Sequence, residues 1–407
     1  MKSSALRTWA RLCLALGLGL GSAAHGQTAL VYQPAFKTLA DAGLDHLYNC
    51  RFQAAEGTFA QLALNFPQHP GPPFLQALTQ WWRIALNTQA TAYDAALSRH
   101  LTRTIELADA LLKQDPENWE AEFLRFSAWG FKARLQALRG NWLTAGNTAL
   151  KCLPSLKRTE HYKATHPEFL FGSGLYLYFK QWYGEQKPGL KPVLGLFPPG
   201  DKAKGLAELR RSVAEPNYTS TEAAQFLTEI YLLAERTPTA ALPFAQQLAQ
   251  RYPGNPFFAL WHAKVLYHVG QYGPARDRLA ALVAAYNPVA AAHTGPITLA
   301  QSVYTTQLMA QVCLYYSLCL QRLTSDYTKG IEFLEAASRM CILNGEADTK
   351  AHAQIKFQLG SAADRAGDRA TALRHYQYVL EMTQAEGFAR LARACKDAPC
   401  TYYTPPD

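Results

Sequence analysis

The chain has 407 residues, with 40 Lys or Arg, 31 Asp or Glu and a formal net charge of +9. Apolar residues make up 49% and charged residues 17%, a composition that excludes a disordered chain, which needs low hydrophobicity and high charge. The 26 glycines exclude a collagen-like chain. The positive surplus is small for this length, which argues against a nucleic-acid-binding protein.

The first 26 residues have the pattern of an export signal. Positive residues come before an apolar run at 12–20, and small residues follow up to Gly26. This order is typical of a secretory signal peptide, and the run is too short to span a membrane. We therefore expect residues 1–26 to be removed and the remaining chain to be a soluble periplasmic or secreted protein.

The cysteines after the signal are odd in number, so at least one is unpaired within the chain. They are Cys50, Cys152, Cys313, Cys319, Cys341, Cys395 and Cys400. Cys395 and Cys400 bracket a short loop and are the best disulfide candidates, the alternative being two unpaired thiols. Cys313 and Cys319 point in different directions on a helix and are predicted to be core residues. No Cys-x-x-Cys motif occurs, so neither a redox motif nor a zinc knuckle is indicated.

Helical periodicity recurs along the chain at intervals of 30 to 45 residues, punctuated by Pro and Gly, which is typical of a helical-repeat protein. The clearest unit runs from Leu39 to Pro67. Gly43 supplies a small residue in its first helix. Ala55, Phe59 and Leu62 form one helical stripe in its second helix.

Further units repeat this arrangement of small, aromatic and Pro residues. They are centred on Gly360 to Val379, Gly270 to Leu282, Ala241 to Pro256, Ala108 to Pro116 and Gly140 to Cys152. Together the units resemble the tetratricopeptide repeat superfamily. The resemblance implies an all-α fold over residues 27–400, a right-handed solenoid of helical hairpins with irregular repeats. The alternative is a non-repeating helical bundle that uses Ala and Gly at its contacts.

A second resemblance lies in the middle of the chain. The motif Phe171-Gly172-Ser173-Gly174 is followed by Gly200-Asp201 and then by Gly205-Leu206 with Leu209. This pattern looks like the tetratricopeptide repeat protein 39 family and its bacterial relatives over residues 165–260. The resemblance implies a helical-repeat protein with adaptor or lipid-homeostasis associations and no catalytic residues, although a signal peptide departs from the intracellular members.

The same region is basic and aromatic. Residues 151–211 hold eleven Lys or Arg against five Asp or Glu, with nine aromatic residues. One interpretation is a face for an anionic partner or membrane surface; the alternative is a core of aromatics with a solvated fringe of lysines. The candidate partner-binding residues are Lys180, Trp182, Tyr183, Lys187, Lys191, Lys202 and Lys204. The Pro- and Gly-rich stretch 184–200 is predicted to be a long loop or hinge.

The sequence offers no motif for catalysis, for a metal or for a cofactor. Ser173 lacks the nucleophile-elbow spacing, and neither a phosphate loop nor a His-Glu-x-x-His zinc motif occurs. Glu222, Glu229 and Glu235 lie along one helical stretch, and Glu229 is placed to line an inner groove. Spacing alone does not pair any two of them as acid and nucleophile.

The favoured hypothesis is an exported, non-catalytic scaffold that binds a protein or peptide of the cell envelope through its concave groove and basic segment. Candidate anchors are Trp81, Trp82, Trp119, Trp129 and Trp182. One alternative is a helical-toroid carbohydrate enzyme with two inward carboxylates. Another is a lipid carrier with a closed apolar tunnel. Residues 401–407 are expected to form a flexible tail, and the oligomeric state is left open.

Overall fold

The computed structural model describes residues 29–190, 194–286, 303–324 and 327–400. The predicted signal peptide, Lys191 and the predicted tail at 401–407 therefore lie outside the described residues. Within those ranges the chain is helical and contains no β-strand. None of the described helices is both long and apolar enough to cross a membrane.

The helices follow one another with short connections. They are α1 Pro34–Tyr48, α2 Phe52–Asn65, α3 Gly71–Leu86, α4 Asp94–Gln114, α5 Trp119–Leu138, α6 Trp142–Leu150, α7 Leu153–Tyr162, α8 Glu168–Gln186 and α9 Lys202–Ala214. They continue as α10 Ser220–Glu229, α11 Pro238–Arg251, α12 Pro256–His268, α13 Tyr272–Tyr286, α14 Thr306–Leu323, α15 Tyr327–Leu343, α16 Lys350–Arg365, α17 Arg369–Glu381 and α18 Glu386–Asp397. Short 3₁₀ turns occur at Leu30–Tyr32 and Pro188–Leu190, and a π-helical turn at Ile230–Ala234 extends α10.

Consecutive helices pack as hairpins. The pairs are α1–α2, α3–α4, α5–α6, α8–α9, α10–α11, α12–α13, α14–α15 and α16–α17, with α7 between two pairs and α18 after the last. The predicted all-α, helical-hairpin solenoid is therefore confirmed.

A glycine against an aromatic ring fixes the close approach of the helices within a hairpin. A Cβ on Gly43 would lie 2.2 Å from Phe59 Cε1, and a Cβ on Gly360 would lie 2.4 Å from Tyr376 Cε1. Phe59 and Tyr376 are both fully buried. The small and aromatic positions assigned from the sequence therefore contact each other in the first and last hairpins.

The glycine motif in the middle of the chain is a helix crossing. A Cβ on Gly174 would lie 2.9 Å from the Gly205 carbonyl, and a Cβ on Gly205 would lie 2.7 Å from the Gly174 carbonyl. Ser173 is buried beside this contact. Asp201 caps α9 by accepting a hydrogen bond from the Lys204 amide at 2.9 Å. The two glycines and Ser173 therefore have a packing role, and Asp201 has a capping role.

The predicted loop at 184–200 begins later than expected, because α8 continues to Gln186. At its far end the loop is held against α8. Tyr176 donates a hydrogen bond to the Pro198 carbonyl, and a Cβ on Gly200 would lie 2.6 Å from the Gln181 amide nitrogen. The loop is therefore anchored where it enters α9.

The first helices also pack against helices much later in the chain. The Asn255 side chain donates a hydrogen bond to the Tyr48 carbonyl at 2.8 Å, and the Trp82 ring lies 5.2 Å from the Phe258 ring. After α3, Asn87 donates to the Asn344 side chain at 2.9 Å. The helical repeats thus curve until α1 and α3 meet α12 and the end of α15, and they enclose an interior cavity.

The cysteines agree with the expectations from spacing. Cys395 and Cys400 form a disulfide. Cys313 and Cys319 are free and fully buried in the core around α14. The remaining three, Cys50, Cys152 and Cys341, are also free.

Candidate functional site

The interior cavity has two adjoining lobes. The wider lobe, of about 250 Å³, contains the Arg134 side chain, and we name it the Arg134 lobe. The narrower lobe, of about 80 Å³, ends at Val31, and we name it the Val31 lobe. Residues lining both lobes are Phe123, Ser127, Phe131, Phe171 and Glu222. The shared walls make the lobes neighbouring parts of one interior space.

Aromatic side chains from five hairpins form the walls of the Arg134 lobe. They are Trp81 and Trp82 of α3, Phe123, Phe126 and Phe131 of α5, Phe171 of α8, Phe226 of α10 and Phe257 of α12. Each is on the first helix of its hairpin, the helix that faces the interior. The predicted anchors Trp81 and Trp82 therefore do line an inner surface.

Arg134 is the cation of this lobe. Its guanidinium carbon lies 4.2 Å from the centre of the Trp81 ring and 4.8 Å from that of Phe226, so the cation rests on two aromatic faces. The side chain is exposed and lines the lobe. Among the described residues no acceptor receives a hydrogen bond from it, and no carboxylate forms an ion pair with it. Enclosure by the walls lowers the pKa of Arg134, against the attraction of Glu229 and Glu222.

Glu222 also lines the cavity, but its carboxylate is engaged. Tyr48 donates to its two oxygens at 2.6 and 2.5 Å, and the Trp82 indole nitrogen approaches at 3.4 Å. Burial raises the pKa of Glu222 to about 7. Because its oxygens are held by α1 and α3, this carboxylate joins the first helices to α10.

Glu229 lines the Arg134 lobe two turns further along α10, which confirms its predicted inward position. It accepts a hydrogen bond from Gln225 at 2.8 Å. Glu235, from the same sequence stretch, instead accepts from Tyr178 at 2.5 Å and pairs with Lys202 at 3.1 Å. The three acids are therefore not one constellation.

Lys264 on α12 is a buried cation that interacts through its charge with Glu229, and sequence reasoning missed it. It donates to Gln311 at 3.1 Å and lies 4.1 Å from the centre of the Trp261 ring. Burial lowers the pKa of Lys264 to about 8, with Glu229 opposing that shift. Its position on a mostly apolar helix could have suggested an inward cation.

The chain's own N-terminal segment closes the Val31 lobe. The Val31 amide donates to Glu120 at 2.7 Å, and Tyr218 donates to the Val31 carbonyl at 2.6 Å. Tyr32 donates to Glu168 and stacks at 6.3 Å on Tyr218. Three segments distant in sequence thus hold a short stretch of backbone, which no local pattern indicated.

The predicted basic residues do not form one surface of free cations. Lys202 pairs with Glu235 at 3.1 Å and Glu185 at 3.4 Å, and Lys204 pairs with Glu160 at 3.3 Å. Neighbouring carboxylates therefore offset much of the positive charge at these two positions.

The remaining members of the set lie near the end of α8. Lys187 is exposed and Lys180 is half-buried. Trp182 and Tyr183 pack on Phe179 with ring centres 6.2 and 5.9 Å away, and Tyr183 remains 42% exposed. The end of α8 therefore combines an aromatic cluster with an exposed lysine, and partner binding by these residues stays a prediction.

The other predicted tryptophan anchors are separate from the cavity centre. Trp119 stacks on His166 at 4.1 Å and faces Tyr32 at 5.8 Å, beside the N-terminal segment. The Lys151 ammonium lies 4.2 Å from the centre of the Trp129 ring. In the part of the chain that the structure describes, no group of three His, Cys, Asp or Glu side chains is arranged to hold a metal ion.

Comparison with known proteins gives little further information about the fold. No protein-family model matches the chain, and no curated protein matches it. One similar solved structure is a human IFIT1 dimer with PPP-AAAA, at 13% identity and a TM-score of 0.38, covering 84% of this chain and 68% of that one. Another is the TPR domain of P58(IPK), at 13% identity and a TM-score of 0.25, covering 89% and 97%. Both scores are too low to support an argument, so the assignment as a helical-hairpin solenoid depends on the chain's own packing.

Proposed function

We propose that the chain is a non-catalytic helical-repeat scaffold that binds a protein partner as a short peptide segment. The supporting observation is the way in which the repeat helices hold Leu30–Tyr32. An amide and a carbonyl of this segment bond to side chains, not to neighbouring backbone, and Tyr32 adds an aromatic contact. This is the chemistry by which a surface recognises a peptide of another chain.

The groups that hold the segment come from separate hairpins. Glu120 lies in the first turn of α5, Glu168 begins α8 and Tyr218 precedes α10. Hairpin stacking brings these positions together, so one peptide contacts three repeats at once. A peptide that replaced residues 30–32 would find two acceptors, one donor and an aromatic wall already in position.

The proposal also covers where the protein acts and a second surface through which it contacts a partner. The signal-like residues 1–26 support an exported scaffold with a partner in the cell envelope. The exposed Lys187 and Tyr183 at the end of α8 support a second contact with an acidic partner or an anionic membrane surface. The resemblance to the tetratricopeptide repeat protein 39 family supports an adaptor role.

The carbohydrate-enzyme alternative receives less support from the cavity. A two-carboxylate mechanism needs one acid and one base that are both free to meet substrate. Glu222 instead accepts hydrogen bonds from Tyr48 and Trp82. Its raised pKa is thus accounted for by burial in a structural contact.

Peptide binding in trans tests the proposal. A chain beginning at Pro34 is titrated against a fluorescent peptide of residues 29–34, and anisotropy reports binding. We expect saturable binding that Glu120→Gln weakens about tenfold, because a hydrogen bond to a charged acceptor contributes about 1.5–3 kcal/mol. Glu332→Gln, at an exposed position on α15, is the matched control.

Equal binding by the Glu120→Gln and control variants would contradict the proposal. A photo-reactive residue at Trp119 in the full chain extends the test to cells. The proposal predicts one dominant crosslinked partner, which excess peptide of residues 29–34 displaces. Crosslinks that persist with excess peptide would place the partner elsewhere.

A further inference from the structure

Arg134 differs from other arginines that face neighbouring repeats. Arg139 bonds Asp94 at 2.7 and 2.8 Å, and Arg125 bonds Glu122 at 2.9 and 3.0 Å. Arg134 has two aromatic faces and no acceptor among the described residues. A guanidinium has five N–H donors, and the Arg134 side chain is exposed where it lines the lobe. The Arg134 lobe therefore presents unused donors inside an apolar cavity.

We propose that the Arg134 lobe binds a small apolar monocarboxylate, whose carboxylate pairs with the Arg134 guanidinium and whose hydrocarbon part lies against the aromatic walls. This ligand is distinct from the protein partner proposed above. It does not depend on the N-terminal segment being displaced.

The chemistry of the walls selects a carboxylate with a single charge. A guanidinium matches the two oxygens of a carboxylate with two parallel N–H donors. Glu222 and Glu229 line the same lobe and act on Arg134 through their charge. They repel a second negative charge, so a dicarboxylate or a phosphate dianion is disfavoured.

The size of the cavity limits the hydrocarbon. At about 30 Å³ for each water-sized group, the 250 Å³ of the Arg134 lobe holds about eight such groups. The Val31 lobe adds about 80 Å³, and its surface is almost wholly apolar. Octanoate, with ten non-hydrogen atoms, fits this range, and a folded peptide chain does not.

Titration calorimetry with the full mature chain tests the proposal. The probes are octanoate, octanol of the same length without the charge, and inorganic phosphate. We expect octanoate to bind at least about tenfold more tightly than octanol, because octanol lacks the charge-assisted bonds. Arg134→Met, which keeps the bulk and removes the charge, should lose that advantage. Arg99→Met, at an exposed position on α4, should keep it.

Several results would overturn the proposal. They are equal octanoate affinity in the Arg134→Met variant, an equal loss in the Arg99→Met variant, phosphate binding as tight as octanoate, and no octanoate binding. A further test uses a peptide with a C-terminal phenylalanine. If this peptide binds and octanoate does not, the proposal is also overturned, and the ligand is the C-terminus of a partner chain, not a free acid.

A direct readout keeps the test valid if Arg134→Met does not fold. A diazirine analogue of octanoate is photolysed in the unmodified chain, and the labelled peptides are sequenced by mass spectrometry. Label on α3, α5 and α10 supports the proposal, because these helices carry Trp81, Arg134 and Phe226. Label that is confined to the outer helices overturns it.

Discussion

The first hairpin, α1–α2, and the last complete hairpin, α16–α17, are built by the same contact and used differently. Each places a glycine under an aromatic ring, Gly43 under Phe59 and Gly360 under Tyr376. Beyond that contact, α1 packs through Tyr48 against α10 and α12, whereas α16–α17 packs mainly against its sequence neighbours. Repeat chemistry therefore sets the shape of a hairpin, and its place in the curved chain sets how much of the molecule depends on it.

Replacing each of the two glycines with a larger residue should give the largest difference between the two hairpins. Gly43→Val should lower the free energy of unfolding by about 3 kcal/mol, because the added carbons overlap a fully buried ring. Its effect should reach the contacts of α1 with α10 and α12. Gly360→Val should loosen α16–α18 while leaving α1–α3 protected. Chemical denaturation and hydrogen exchange by mass spectrometry measure both.

Gly57→Ala is the control for helix propensity. No atom lies within 4 Å of a Cβ at this position, so we expect a gain of up to about 1 kcal/mol. Equal loss of protection across the chain in both valine variants would show that the first hairpin has no special position.

The next largest effect is a pH dependence of stability. It arises from the contact that the first hairpin makes with α10. Burial raises the pKa of Glu222 from 4.5 to about 7. Folding therefore favours the protonated acid. The stabilisation is fully present below about pH 4.5 and is lost as the pH rises through about 7, by about 3 kcal/mol at most.

Urea unfolding at pH 5 and pH 8 tests whether stability falls as the pH rises. The Glu222→Gln variant should lose this part of the pH dependence, and Glu332→Gln, at an exposed position on α15, should retain it. A difference between pH 5 and pH 8 that is the same in both variants would assign the effect to other groups.

Tyr48→Phe should have a smaller effect, of about 1–2 kcal/mol, since it leaves the Glu222 carboxylate without its main donor. The Tyr48 hydrogen bond lowers the pKa of Glu222. Removing this bond should therefore raise the pH at which the stability is lost. Tyr376→Phe, which removes a 2.8 Å bond to Asp364 in the last hairpin, is the comparison variant. Thermal unfolding across pH should show the upward shift only for Tyr48→Phe.

Removing the disulfide should have the smallest effect. Cys400→Ser should cost about 1 kcal/mol and affect only α18, because the bridge closes a very short loop. The Cys400 amide also bonds Asp364 at 2.9 Å, which holds the segment without the bridge. Hydrogen exchange with and without reductant measures the change, and lost protection in α1 would contradict it.

The sequence predicted the hairpins because their signals are local. Gly43 with Phe59, and Gly360 with Tyr376, are separated by a single turn between two helices. The inward position of Glu229 and the disulfide were also predictable, one from helical periodicity and the other from loop length.

The closure of the repeats and the Arg134 lobe were not predictable in the same way. Closure depends on small rotations that accumulate over many hairpins before α1 meets α12. Arg134 looks like an ordinary helical arginine, and only the arrival of Phe226 from another hairpin gives it two aromatic neighbours. The sequence identified Lys202 and Lys204 as basic residues. It did not show that each would form an ion pair with a carboxylate distant in sequence.

The contact between Asn87 and Asn344 has a consequence for biosynthesis. The two residues are 257 positions apart, so at about 5–20 residues per second the ribosome needs roughly 13–50 s to supply the second after the first. During that time Trp82 and Tyr48 lack part of their final surroundings. The segment made first is therefore among the last to be completed, and a nascent chain interrupted before α12 exposes the apolar side of α1 and α3 to chaperones and proteases.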